Sequence, residues 1–286
     1  MIRPSPAPAS TTGDRIRRTF WVGLVAVVVY VLLAAGLANL LDLLVQPASV
    51  EGEFALSHLV PLPIAIAAGL AFARLSGWWG DIWSQQAEYA SPPRRLWMLA
   101  IPLLLLINPL LGLVGMPWGE RSGWFVLLLL VGCAMIGLGE ELFYRGILRV
   151  SLRSHHGELV ALLVTSLLFG LSHSLGSMLH GVPAGTIAFQ VGATAVDGAL
   201  YYAAFRATGT LWVPIAVHAL TDFSLYAQAG GTDAASGHAS SFDSTPVIAT
   251  TQFVLWGLLI AVIVVFARDD ATERKRRRAE QGASTV

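Results

Sequence analysis

Residues 124–146 read WFVLLLLVGCAMIGLGEELFYRG, and the whole fold turns on them. From Trp124 to Gly139 no residue is charged, and then Glu140, Glu141 and Arg145 arrive without a break in the apolar pattern. A helix needs about 20 apolar residues to cross the hydrocarbon of a bilayer, whereas the strands of a membrane barrel are short and alternate. The expectation is a spanning helix with ionisable groups inside it. An ionised side chain near the bilayer centre costs about 2.5–3.5 kcal/mol on insertion scales, so each of the three requires a reason.

The same character runs outward through the chain. Of its 286 residues 55% are hydrophobic and 13% charged, half the roughly one-quarter charged fraction of soluble domains. In lipid every backbone polar group must be satisfied internally, which the long unbroken runs achieve as helices. The reading is an all-α polytopic integral membrane protein. Candidate spans fall near 20–42, 56–75, 96–115, 124–146, 158–177, 184–205, 209–227 and 247–267, about eight transmembrane helices. The seventh is the weakest, since His218, Thr221 and Asp222 interrupt it, and a count of seven stays open. Arg15, Arg17 and Arg18 precede the first run as in a signal peptide, but that run exceeds a usual h-region and lacks a small-residue cleavage site, so it reads as a retained span.

Charge placement tests the count, because cytoplasmic loops retain Lys and Arg. With eight spans and an inside N-terminus, sixteen of the 18 basic residues lie inside, Arg121 outside and Arg145 within a span. Both termini are therefore expected to be cytoplasmic. Residues 20–267 form one transmembrane domain, flanked by tails at 1–19 and 268–286 that read as disordered, the second basic from Arg274 to Arg278. Residues 230–244 are a Gly/Ala/Ser-rich outside loop, and Cys133 reads as a small core residue. The partner implied by this composition is the lipid bilayer, with no nucleic acid.

Further ionisable residues sit at span depth: Phe169-Gly170-Leu171-Ser172-His173 in the fifth span, Asp197 in the sixth, and His218-Ala219-Leu220-Thr221-Asp222 in the seventh. Residues four apart share a helix face. Glu141 and Arg145 thus pair, a support role that packing alone also accounts for, and Glu140 points elsewhere without a local cation, as a general base requires. His218 and Asp222 share a face, and His173 supplies a proton donor or an orienting group. Phe169 reads as packing, and Asp197 is open between a helix–helix hydrogen bond and a site role. His155 and His156 read as solvated, while His58 and His180 read as interfacial.

Depth presents a difficulty. At about 1.5 Å per residue, Glu140 lies roughly 24 Å from the outside start of its span and His173 roughly 22 Å from the inside start of the next. Meeting requires tilt, a break near Gly170, or a fifth span that starts deeper.

Taken in order, Glu140-Glu141 with Arg145, Phe169 with His173, and His218 with Asp222 resemble the motifs of the CPBP (CAAX prenyl endopeptidase / bacteriocin-processing, Abi) family of intramembrane proteases, over about residues 96–227. The resemblance implies an endopeptidase for a membrane-associated protein or peptide, in which Glu140, helped by His173, activates water, while His218 and Asp222 stabilise the oxyanion. Support falls to Glu141, Arg145 and Phe169, with Asp197 a further candidate. No cofactor is implied in the glutamate-type reading. The alternative is zinc held by Glu140, His173 and His218, although no two histidines share a helix in the HExxH manner. The prenyl-endopeptidase branch carries asparagine where this chain has Asp222. An ionised aspartate would repel an oxyanion, so Asp222 is expected to orient His218 unless it is held protonated. Other readings are a non-proteolytic membrane immunity or assembly protein of the same fold, and a proton-coupled transporter. The absence of organelle signals points to a bacterial plasma membrane.

Overall fold

The computed structural model describes residues 14–84, 95–114, 116, 118–179, 181–230 and 245–283. The first thirteen residues, His180 and residues 231–244 of the expected outside loop lie outside that set. Among the described residues the fold is all-helical, with eight long helices and no strand: α1 (Phe20–Val45), α2 (Val50–Ser76), α3 (Leu96–Leu113), α4 (Gly123–Arg153), α5 (Glu158–Leu179), α6 (Ala184–Thr208), α7 (Trp212–Ala229) and α8 (Thr245–Ala283). Six of these, α1 to α5 and α8, are long and apolar enough to cross a membrane. The other two are less apolar because they carry Asp197, Arg206, His218 and Asp222.

Local chemistry sets the helix ends. Ser122 caps α4, its Oγ accepting from the Phe125 N–H at 3.0 Å, which satisfies a donor that the first turn leaves orphaned. The chain leaves α6 through Gly209 at φ 75° and α7 through Gly230 at φ 74°, left-handed positions that cost glycine no Cβ clash. Large apolar side chains such as Leu127, Leu130, Leu163 and Phe189 face outward. In a membrane their solvent is lipid, so their exposure is ordinary.

Three expectations change. The fourth helix does not stop at 146 but runs to Arg153 through a widened π turn at Leu142–Leu148. Its arginines are consequently buried, Arg149 and Arg153 both at 2% exposure, where the sequence suggests a loop. Arg149 is accommodated by carbonyls, donating to Arg145 O at 2.6 Å and to Asp81 O, and it lies 4.4 Å over the Phe205 ring.

The C-terminal segment is not a loose tail, because helix α8 continues to Ala283. Arg276 and Arg277 pair with Glu273 at 2.9 and 2.8 Å, spacings of three and four that support a solvated helix. Within the expected N-terminal tail, Arg18 is held by Asp14 and Asp81, each at 2.7 Å. Burial alone would lower the Arg18 guanidinium, but hydrogen bonds and charge from Asp14 and Asp81 outweigh it and hold it above its ordinary range.

Where α4 turns back into α5, α8 closes the end of the bundle. Glu158 takes Arg153 at 3.1 Å, Arg206 at 3.0 Å and the Tyr202 hydroxyl at 2.5 Å. Asp270 from α8 caps α5, accepting from the Glu158 N–H at 2.9 Å and the Leu159 N–H at 3.0 Å. Gly157 makes room for it, since a Cβ there would overlap the Asp270 carboxylate. Loss of a capping carboxylate costs about 1 kcal/mol. We expect Asp270→Ala to lower the unfolding temperature in detergent and Asp270→Asn to retain most of the stability, as scored by thermal unfolding of the purified protein.

Candidate active site

Helices α4 and α5 form an antiparallel hairpin whose arms match in length, and this answers the depth question. Glu140 lies thirteen residues before Arg153, the end of α4, and His173 lies fifteen after Glu158, the start of α5. At about 1.5 Å per residue both stand roughly 20 Å from the hairpin turn. The extra turns of α4 beyond residue 146 bring the two to one level.

On α4 the neighbouring glutamates diverge, as their helical offset requires. Glu141 is fully buried and pairs with Arg145, also fully buried, at 2.9 Å. The other guanidinium nitrogen of Arg145, Nη2, donates to Gly198 O on α6 at 2.7 Å, and its carbon lies 4.3 Å over the Phe169 ring on α5. Phe169 is 1% exposed and forms the floor between this cation and the two histidines, its ring centroid 4.8 Å from His173 and 5.7 Å from His218. A Cβ at position 198 would sit 2.8 Å from Arg145 Nη2 and 3.0 Å from Phe169, so Gly198 permits the contact.

Glu140 faces the other way, into a gap between α5 and α7. Its Oε1 is 3.8 Å from His173 Nε2 and its Oε2 is 3.4 Å from His218 Nε2. Oε2 has no hydrogen-bond partner among the described residues. Both histidines are anchored by their other nitrogen: Nδ1 of His173 donates to Phe169 O at 2.8 Å, and Nδ1 of His218 meets Glu141 Oε1 at 3.0 Å. Helix α7 approaches closely because Gly137 lies against it, where a Cβ would be 2.8 Å from Ile215 O and 2.9 Å from Ala219 N.

Glu140, Glu141, Arg145, Phe169, His173, His218 and Asp222 fall in this region, though not always with the expected neighbour. The short contact to His218 comes from Glu141; Asp222 stands 3.5 Å from Nε2. Asp197 on α6 is exposed and within electrostatic range of His218, His173 and Arg145, with no short contact to any of them. His155 and His156 are exposed, and Cys133 is buried in the core, as expected. Sequence reasoning missed Tyr201, whose ring stacks on His218 at 4.5 Å between centroids and 18° between planes. The available signal was its spacing: it follows Asp197 by four residues on the same helix face. No group of three His, Cys, Asp or Glu side chains among the described residues is arranged to hold a metal ion.

Residues 122–224 match the family model described as type II CAAX prenyl endopeptidase Rce1-like. The matched segment contains every residue of the cluster. No curated protein and no solved structure matches the chain. The matched model describes a family of proteases.

A buried charge left alone after its partner is removed costs about 3–5 kcal/mol. Arg145→Met strands Glu141 and is expected to unfold the protein at markedly lower temperature, while Arg145→Lys falls between it and wild type because one ammonium cannot reach Glu141 and Gly198 O with the same fork. Thermal unfolding in detergent separates the three.

Proposed function

From a chain whose residues 122–224 match the model described as type II CAAX prenyl endopeptidase Rce1-like, we propose an intramembrane endopeptidase that hydrolyses a peptide bond with water activated by Glu140. The observation that carries this reading is the Glu140 carboxylate, 15% exposed and flanked at 3.8 and 3.4 Å by histidine Nε2 atoms from two other helices. A general base must reach the water it deprotonates and must not be locked into an arginine or lysine salt bridge of its own. Arg145 is occupied by Glu141 and Gly198, so Glu140 meets that requirement.

In this mechanism a water molecule at the Glu140 carboxylate gives up a proton to it while the oxygen bonds to the scissile carbonyl carbon. The carbonyl electron pair moves onto the oxygen. His173, with Nδ1–H fixed on Phe169 O, turns an Nε2 acceptor toward the water and orients it. His218, doubly protonated with Nδ1–H on Glu141, donates Nε2–H to the oxyanion. The tetrahedral intermediate collapses, the C–N bond breaks, and Glu140 returns its proton to the departing amine, leaving a carboxylic acid and an amine. Glu141 holds the His218 imidazole, and Asp222, beside Nε2, assists from the opposite edge. The substrate class is a membrane-associated polypeptide, of which a prenylated C-terminus is the member named by the family. The clustering of Lys and Arg supports placing both chain ends on the cytoplasmic side, with a bacterial plasma membrane as the setting.

Substrate trapping tests the reading. Cells carrying Glu140→Ala are expected to accumulate intact precursors that wild type processes, as seen by quantitative proteomics of the membrane fraction, and an unchanged precursor profile would remove the protease reading. Purified enzyme is expected to keep cleaving after treatment with a strong chelator; loss of turnover restored by added zinc would replace the glutamate mechanism with a metal-dependent one. Asp222→Asn is expected to cleave within about tenfold of wild type and Asp222→Ala to fall about a hundredfold, the size typical of a lost positioning contact. Equal loss in both variants would mean that the carboxylate charge itself is needed.

A further inference from the structure

Two nitrogens anchor His218, but they do not fix the tilt of its ring. The contacts at Nδ1 (Glu141, 3.0 Å) and Nε2 (Glu140, 3.4 Å; Asp222, 3.5 Å) all lie at the edge of the imidazole. The terminal torsion of histidine is broad and roughly two-fold, so edge contacts of 3.4 and 3.5 Å leave it soft. What bounds the ring is its faces. Phe169 presents an inclined ring, 74° from the imidazole plane and 5.7 Å away, whereas Tyr201 lies nearly parallel at 18° and 4.5 Å.

Tyr201 is itself held. It is 4% exposed, and its ring centroid lies 5.7 Å from the Arg145 guanidinium carbon. Three residues earlier on the same helix, the Gly198 carbonyl accepts from Arg145 at 2.7 Å. The buried cation thus fixes both the helix that carries Tyr201 and, through Glu141, the edge of the ring that Tyr201 covers.

We propose that Tyr201 is a positioning residue, a flat platform that sets the plane of the His218 imidazole and so aims Nε2 at the reaction centre beside Glu140. The role rests on the hydrolytic reading of the site for its consequence, but not for its geometry. It belongs to the aromatic face and not to the hydroxyl, since the stack involves the ring alone. Tyr201→Phe keeps the platform; Tyr201→Leu and Tyr201→Met fill the space without a plane. A displacement of about 1 Å at a catalytic group costs on the order of 10²-fold in rate.

The test combines turnover with a readout of the ring. With a quenched-fluorescent peptide ending in a farnesylated cysteine, two aliphatic residues and one further C-terminal residue, Tyr201→Phe is expected to hold kcat within about twofold. Tyr201→Leu and Tyr201→Met are expected to lose ten- to a hundredfold in kcat with KM nearly unchanged, a split typical of an interaction made only in the transition state. Wild-type kcat in the Leu or Met variant, with Glu140→Ala inactive, overturns the platform and leaves the hydrolytic reading standing. Loss in Phe equal to that in Leu overturns it too, because the hydroxyl would then be the active part. Nitrogen-15 NMR of histidine-labelled protein in micelles, with His218 assigned through His218→Gln, reads the ring without any turnover. Two resolved ring-nitrogen signals are expected in wild type and Tyr201→Phe, and broadened or averaged signals in Tyr201→Leu. Wild-type signals in the Leu variant would overturn the proposal even if the peptide proves not to be a substrate.

Discussion

The Glu141–Arg145 pair, buried to 0% exposure on both sides, is the contact on which the other site geometry depends. Neither charge is tolerable alone at that depth, so each requires the other and further neighbours, even though Glu141 Oε2 and Arg145 Nε find no hydrogen-bond partner among the described residues. Those neighbours come from three more helices: Gly198 O on α6 and the Phe169 ring on α5 for the guanidinium, and His218 on α7 for the carboxylate. Satisfying one ion pair therefore ties four helices together. In lipid, where apolar side chains gain nothing by leaving one hydrocarbon for another, such polar contacts and close glycine approaches define which helix faces meet.

Neutralising Arg145 internally also has a chemical consequence. The Arg145 guanidinium is committed to Glu141 and a carbonyl, which leaves Glu140 flanked by imidazoles. Two adjacent residues of identical type thus take different roles because a helix turns about 100° between them. Glu141 is committed to Arg145 and His218, while the Glu140 Oε2 keeps no hydrogen-bond partner among the described residues.

A second layer of buried charge lies at the hairpin turn, where Glu158 gathers Arg153, Arg206 and the Tyr202 hydroxyl, and Asp270 caps α5 from α8. It fixes the lengths of α4 and α5 relative to one another, and those lengths set the level at which Glu140 and His173 meet. The segment from residue 147 to 153, which a charge-based reading assigns to a solvated loop, is helix because its arginines find carbonyls, rings and Glu158 instead of water.

The sequence by itself determined that the chain is a helical membrane protein, that Glu140, Glu141, Arg145, His173, His218 and Asp222 are its costly residues, and that Glu141 pairs with Arg145. These follow from hydropathy and from spacings of four, which are properties of one helix at a time. Only the tertiary structure decided that α4 runs on to Arg153, that Glu141 and not Asp222 makes the short contact to His218, and that Tyr201 covers the face of that ring. Each depends on distances between helices, which arise from close approach at Gly137 and Gly198 and from matched hairpin arms, and no one-dimensional pattern encodes a gap between two separate helices.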